Sequence, residues 1–258
     1  MLFEPKRSLQ IIVIIGPAGS GKTTLVKTLG EWIEKNQNIN IAYINLDPGV
    51  EYLPYKPDID AREYVTVYDV IKKYKLGPNG GLIKSIDLLI KYKDIMISRV
   101  KKLVENIVIV DTPGQMELFL FRETGPIFIN SLSQIGTTIG VLVFDPTLTY
   151  RPSDVIALKL MNMVVDFRLG IENILVINKI DKLKDSKIIE MIDNPQFLQE
   201  YLHKEKGILA EVAEELAKVM DKYGLARRIA KISAKEGLGM DELYDLLHEI
   251  YCTCGDLT

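Results

Sequence analysis

Cysteine is nearly absent: Cys252 and Cys254 are the two in 258 residues. One residue apart, they cannot close a loop that staples a fold, so a disulfide scaffold is excluded and free thiols in a reducing, cytoplasmic setting are expected. Histidine is as scarce, and His203 and His248 stand at no metal-ligand spacing. Long apolar runs are missing too. Runs such as Ile11–Ile15 fall far short of the ~20 residues that a membrane span needs. The opening MLFEPKRS has no apolar stretch before a small-residue cleavage site, so neither a membrane anchor nor a secretory signal is expected. Nor is there a positive excess: 32 Lys and Arg stand against 35 Asp and Glu, which gives no footing for nucleic acid or an anionic lipid surface. What remains is 47% hydrophobic, enough to build a core, and the length fits one α/β domain over residues 1–258.

Short β-branched runs alternate with longer amphipathic stretches, the pattern of βαβ units around a mostly parallel sheet. Strands are expected at Gln10–Ile15, Asn40–Leu46, Asn106–Val110, Thr138–Phe144, Asn173–Ile177 and Arg228–Ile232. Runs such as IIVII and NIVIV are apolar throughout, which predicts burial on both faces. Helices are expected at Lys22–Asn36, Pro152–Leu169, Glu205–Lys222 and Met240–Tyr251. The alternation breaks between the second and third strands, where Asp47 to Glu105 is far longer than one crossover. A helix over Val67–Tyr74, a turn over Leu76–Gly81 and a second helix over Leu82–Leu103 are expected there. Leu82, Ile86, Leu89, Met96, Val100 and Leu103 give the second helix a buried stripe, so residues 58–105 read as a helical insert within the domain.

The first strand runs into Gly16-Pro17-Ala18-Gly19-Ser20-Gly21-Lys22-Thr23-Thr24 and then into a helix, which matches G-x-x-x-x-G-K-S/T in its strand-to-helix setting. Glycines let the backbone wrap so that successive N–H groups face phosphate oxygens, and the helix dipole adds to the same concavity. Lys22 is expected on the β- and γ-phosphates and the Thr23 hydroxyl on Mg²⁺. The third strand ends in Asp111-Thr112-Pro113-Gly114-Gln115. Asp111 suits ordering of Mg²⁺, Gly114 a backbone N–H near the γ-phosphate, and Gln115 an attacking water, because its amide both donates and accepts.

After the fifth strand comes Asn178-Lys179-Ile180-Asp181. A carboxylate at Asp181 accepts from guanine N1–H and its 2-amino group, which adenine lacks, and burial would make rejection of the wrong base strong. Lys179 is placed to lay its stem along the ring, and Asn178 to tie this loop to the phosphate loop or to reach the base. Ser233-Ala234-Lys235, after the sixth strand, is placed to offer backbone N–H to guanine O6.

Gly16–Thr23, Asp111–Gln115, Asn178–Asp181 and Ser233–Lys235, in that order, resemble the successive sequence elements of GTPases. Gly77-Pro78-Asn79, midway between Asp47 and Asp111, is similar to the signature of the GPN-loop GTPases, and the unextended length is similar to their archaeal branch. The resemblance implies a three-layer P-loop NTPase fold of the SIMIBI type that binds GTP or GDP with Mg²⁺ and acts as a homodimer. It also implies that Gly77, Pro78 and Asn79 of one subunit reach the nucleotide of the other, with Asn79 near the γ-phosphate. An aspartate after the second strand is matched by Asp47, which with Asp111 and Gln115 would hold Mg²⁺ or the water. Pro17 stands where many SIMIBI proteins carry a second lysine, so that cation is either replaced or done without. The expected activity is hydrolysis of GTP to GDP and phosphate, serving as a switch or assembly chaperone for a protein client.

The rival reading is an ATP-dependent metallochaperone or a phosphotransferase on a similar scaffold, against which the N-K-x-D loop argues. Arg62, Arg99, Arg122 and Arg151 are each conceivable arginine fingers, and the sequence does not choose among them.

Overall fold

The computed structural model describes residues 9–149, 151–183, 187–222 and 229–255. The expected strand residue Arg228 and the Cys254 side chain lie outside them. The chain opens with β1 (Leu9–Ile15), α1 (Lys22–Gln37), β2 (Ile41–Asn45) and β3 (Ile59–Asp60). Three helices follow, α2 (Val67–Tyr74), α3 (Pro78–Leu89) and α4 (Lys93–Val100), then β4 (Ile107–Asp111), α5 (Met116–Phe121), α6 (Thr124–Ser133) and β5 (Gly136–Phe144). The remainder is α7 (Pro152–Leu169), β6 (Asn173–Ile177), α8 (Lys187–Asp193), α9 (Pro195–Leu202), α10 (Ile208–Lys222), β7 (Ile229–Lys231) and α11 (Met240–Gly255).

The strands form one sheet in the order β3-β2-β4-β1-β5-β6-β7, and each ladder in it is parallel. Parallel neighbours require crossovers, and the crossovers cover both faces. Successive residues of β1 point to opposite sides. Ile11, Val13 and Ile15 pack with residues of α2 to α10, while Ile12 and Ile14 pack with Leu25, Leu29 and Ile33 of α1 and Leu243 and Leu247 of α11. Each fully buried isoleucine contributes about 1.5–3 kcal/mol over exposure. The result is the three-layer arrangement expected, with all strand carboxyl ends on one rim.

The insert differs from its expected form. Gly77-Pro78-Asn79 is the start of a helix rather than the middle of a turn: Gly77 is the N-cap of α3 and Pro78 its first residue. Proline fits there because its φ is already helical and its missing N–H is one the first turn leaves unpaired. The helix expected over Leu82–Leu103 ends at Leu89, passes through a 3-10 turn at Ile90–Tyr92 and resumes as α4. The break falls at Tyr92, whose ring packs on Tyr64 at 5.3 Å. Ile86, Leu89, Met96 and Val100 are nevertheless all buried against the core. The insert also contains β3, in which Ile59 pairs with Ile44 and is itself buried. The helix expected from Glu205 starts at Ile208.

Candidate nucleotide site

Gly16 to Thr24 link β1 to α1 at the carboxyl rim. A Cβ on Gly16 would lie 2.3 Å from the Val143 carbonyl oxygen, so the loop passes too close to β5 for a side chain. Gly21 caps α1 in the left-handed region, at φ 96°. The Lys22 ammonium is buried and donates to the carbonyls of Gly16 at 2.7 Å, Pro17 at 3.0 Å and Gly114 at 3.3 Å. Burial lowers its pKa from the ordinary lysine value, and Asp111, Asp47 and Glu117 nearby oppose that shift. Lys22 therefore joins the phosphate loop to the Asp111–Gln115 loop.

Asp111 ends β4 and is 2% exposed. Burial raises its carboxyl to about 6, against the opposing pull of the Thr23 and Tyr55 hydroxyls and the Lys22 charge. Tyr55 donates to Asp111 Oδ2 at 3.1 Å, while Asp111 Oδ1 and Ser20 Oγ are buried without a hydrogen-bond partner among the described residues. Asp47, half-buried, accepts from Gly49 N–H through Oδ1 at 2.8 Å and from Gly114 N–H through Oδ2 at 3.0 Å. The Gly114 donor expected to face a γ-phosphate is thus engaged by Asp47. Gln115 is half-buried at the start of α5.

On the other side of the loop, Asn178 is buried and donates from Nδ2 to the Ser20 carbonyl at 2.8 Å. Its Oδ1 accepts from Ala234 N–H at 2.9 Å and Lys179 N–H at 2.8 Å. Of its two expected roles, it performs the tie. Lys179 donates to the Gly19 carbonyl at 2.7 Å and to Asp145 Oδ2 at 2.6 Å. Burial alone would push Asp145 up, but Lys179 and Thr147 hold its carboxyl below the usual range. Ser233 donates to Asp181 Oδ1 at 2.6 Å. Asp181 is exposed, on the surface 3-10 turn Ile180–Lys182. The Ser233 and Ala234 amides, expected to face a base, go to Leu238 and Asn178 because a bridge and the asparagine tie capture them. Within that tripeptide, only the Lys235 amide is left unengaged by the described residues.

Lys22, Thr23, Asp47, Asp111 and Gly114 converge, and Asn178, Lys179, Asp181, Ser233 and Ala234 converge beside them. Gly77, Pro78 and Asn79 are exposed, and among the described residues the Asn79 side chain makes no hydrogen bond. Each of the four arginines is instead in an ion pair: Arg62 with Asp60, Arg99 with Glu63, Arg122 with Asp87 and Arg151 with Asp154. Tyr55, Asn45 and Asp145 are participants that the sequence reading did not single out. For Asp145 a signal existed, an acidic residue directly after a buried strand, as with Asp111. Among the described residues no helix is long and apolar enough to cross a membrane.

An all-parallel three-layer sheet whose first strand feeds a glycine loop, with a buried lysine and aspartate behind that loop, defines a P-loop nucleoside triphosphatase. A family model described as a conserved hypothetical ATP binding protein matches residues 14–253. The chain is similar to the GPN-loop GTPase PAB0955 of Pyrococcus abyssi, 36% identical over 256 residues, which cover 96% of this chain and 100% of that protein. The crystal structure of PAB0955, a GTPase in apo form, superposes with a TM-score of 0.85 at 34% identity over 95% of this chain and 98% of that one. GPN-loop GTPase 1 of Dictyostelium discoideum is 31% identical over 91% of this chain, which spans 59% of that protein's length. The chain belongs to the GPN-loop GTPase family, and it is a GTPase that binds GTP and GDP.

Proposed function

We propose that this cytoplasmic GTPase, a single G domain with a helical insert, hydrolyses GTP as a homodimer in which Gly77, Pro78 and Asn79 of each subunit complete the site of the other. The place of Asn79 carries this reading. It is exposed on the first turn of α3, bonded to none of the groups that Lys22, Asp47, Asp111 and Gly114 bring together. A side-chain amide at the positive end of a helix suits phosphoryl oxygens, and a second copy offers them.

Within one site, the phosphate-loop amides and Lys22 hold the β- and γ-phosphates. Asp181, steadied by Ser233, reads guanine N1–H and the 2-amino group, with Lys179 along the ring. The γ-phosphate takes the Gly114 N–H from Asp47, whose Oδ2 then accepts from the attacking water, with Gln115 beside it. Attack is in line, and Lys22 with the partner's Asn79 offsets the developing charge. The buried oxygens Asp111 Oδ1 and Ser20 Oγ, without a hydrogen-bond partner among the described residues and beside the Thr23 hydroxyl, are hard donors of the kind Mg²⁺ takes. Thr23, Asp111 and Asp47 would hold it, and when bound it neutralises charge on the β- and γ-oxygens. Exchange of the Gly114 bond between Asp47 and a phosphate gives the two nucleotide states different contacts, which is what a switch or assembly chaperone acting on a protein client requires.

Complementation tests the dimer. Asn79→Ala and Lys22→Ala variants are each expected to lose about 10²-fold or more in turnover. Mixed, they form dimers in which one site has Lys22 and receives Asn79, so GTPase activity returns. Two dead variants that stay dead when mixed, with mixed dimers verified, would defeat the trans arrangement.

A further inference from the structure

Asn45 ends β2, in register with Asp60 of β3 on one side and Asp111 of β4 on the other. It is fully buried, and its amide is spent on neighbours. Oδ1 accepts from Asp47 N–H at 3.0 Å, and Nδ2 donates to the Asp47 carbonyl at 3.1 Å and to Asp60 Oδ1 at 2.8 Å. The Asp47 backbone is therefore gripped at both its polar groups from behind. Asp60 in turn meets Arg62 in a fork, Nε to Oδ2 at 3.0 Å and Nη2 to Oδ2 at 2.7 Å. Burial would raise the Asp60 carboxyl, yet the Arg62 and Asn45 bonds hold it below the usual range. The remaining Arg62 nitrogen, Nη1, reaches forward to the carbonyls of Val50 at 3.2 Å and Glu51 at 3.3 Å. Asn45 thus fixes the start of the loop that carries Asp47, and Arg62 fixes its end.

We infer that Arg62 is a positioning residue for hydrolysis, holding the Asp47 loop through Asp60, Asn45 and the Val50 and Glu51 carbonyls, and not an arginine that reaches the nucleotide. All three of its nitrogens are committed to that brace. The inference rests on the part given to Asp47 above. Small displacement of an orienting carboxylate costs rate without costing ground-state affinity.

The test compares the parent with Arg62→Ala, Arg62→Lys, Asp47→Ala and the Asp47→Ala/Arg62→Ala double variant. It measures GTP turnover, affinity for a fluorescent GDP, and hydrogen exchange at the Gly49 and Gly114 amides, both bonded to the Asp47 carboxylate. Arg62→Ala is expected to lower kcat about tenfold or more, to leave GDP affinity within about twofold, and to speed both amides about tenfold. Arg62→Lys keeps the charge opposite Asp60 but loses the fork, and falls between. In the Asp47→Ala background the further loss of Arg62 changes nothing in kcat. Additive loss in the double variant would make Arg62 act on the nucleotide directly and overturn the inference. Unchanged exchange in Arg62→Ala would also overturn it. Full turnover by Asp47→Ala alone would defeat the part given to Asp47, a failure separable from the other because amide exchange reports the brace without turnover.

Discussion

Asp111 is held in the fold at a cost. Its carboxyl stands at about 6 against an ordinary value of 3.8. A raised carboxyl contributes stability that is present below the unfolded value and lost as pH rises through 6, so at neutral pH the ionised group opposes folding. That difference corresponds to about 3 kcal/mol, the net left after the Thr23, Tyr55 and Lys22 contacts have offset part of the burial cost. Asp111→Asn, measured without nucleotide, is therefore expected to raise the thermal unfolding midpoint at pH 8 by the equivalent of about 1–3 kcal/mol, with the gain shrinking toward pH 5. Turnover should be lost in the same variant. A midpoint lowered at pH 8 would mean that the partners of Asp111 contribute more than its burial costs. Residues of this kind were legible wherever the chemistry is contiguous: Lys22 and Asp111 each sit in a run whose neighbours declare the role. Tyr55, Asn45 and Asp60 were not, since the first meets Asp111 from a distant loop and the other two meet only through the register of β2 and β3, and Arg62 was visible only as one arginine among four.

At the scale of elements, legibility followed length. The apolar runs of β1, β4 and β6 have no reading other than buried strand, and α7 starts and ends where Pro152 and Gly170 punctuate it. β3 has two residues, too few for any period, yet it places Asp60 beside Asn45. The turn around Gly77 misled because Gly-Pro-Asn serves a turn and a helix start equally. A sharper case is Gly125 in the first turn of α6, where sequence favours alanine. A Cβ there would lie 2.0 Å from the Phe119 carbonyl oxygen of α5, a backbone atom rather than the end of a flexible side chain. Gly125→Ala is expected to destabilise by about 1–3 kcal/mol in urea unfolding, against a propensity gain of about 1 kcal/mol. An unchanged or improved midpoint would show that the α5–α6 corner relaxes.

For the whole molecule, the proposed completion of each site by a partner would make catalysis a property of the pair. Turnover per subunit is expected to fall on dilution through the dimer dissociation constant and to rise to a plateau above it, in step with mass by light scattering. A rate per subunit flat across the monomer–dimer transition would rule the pair out. The sheet has one further consequence. Because the seven strands among the described residues point the same way, nucleotide chemistry is confined to one rim. The links entering β2 at residues 38–40 and β6 at residues 170–172 lie at the opposite edge and are largely exposed. A dye or affinity handle grafted into either would report on the protein from the side that hydrolysis never touches.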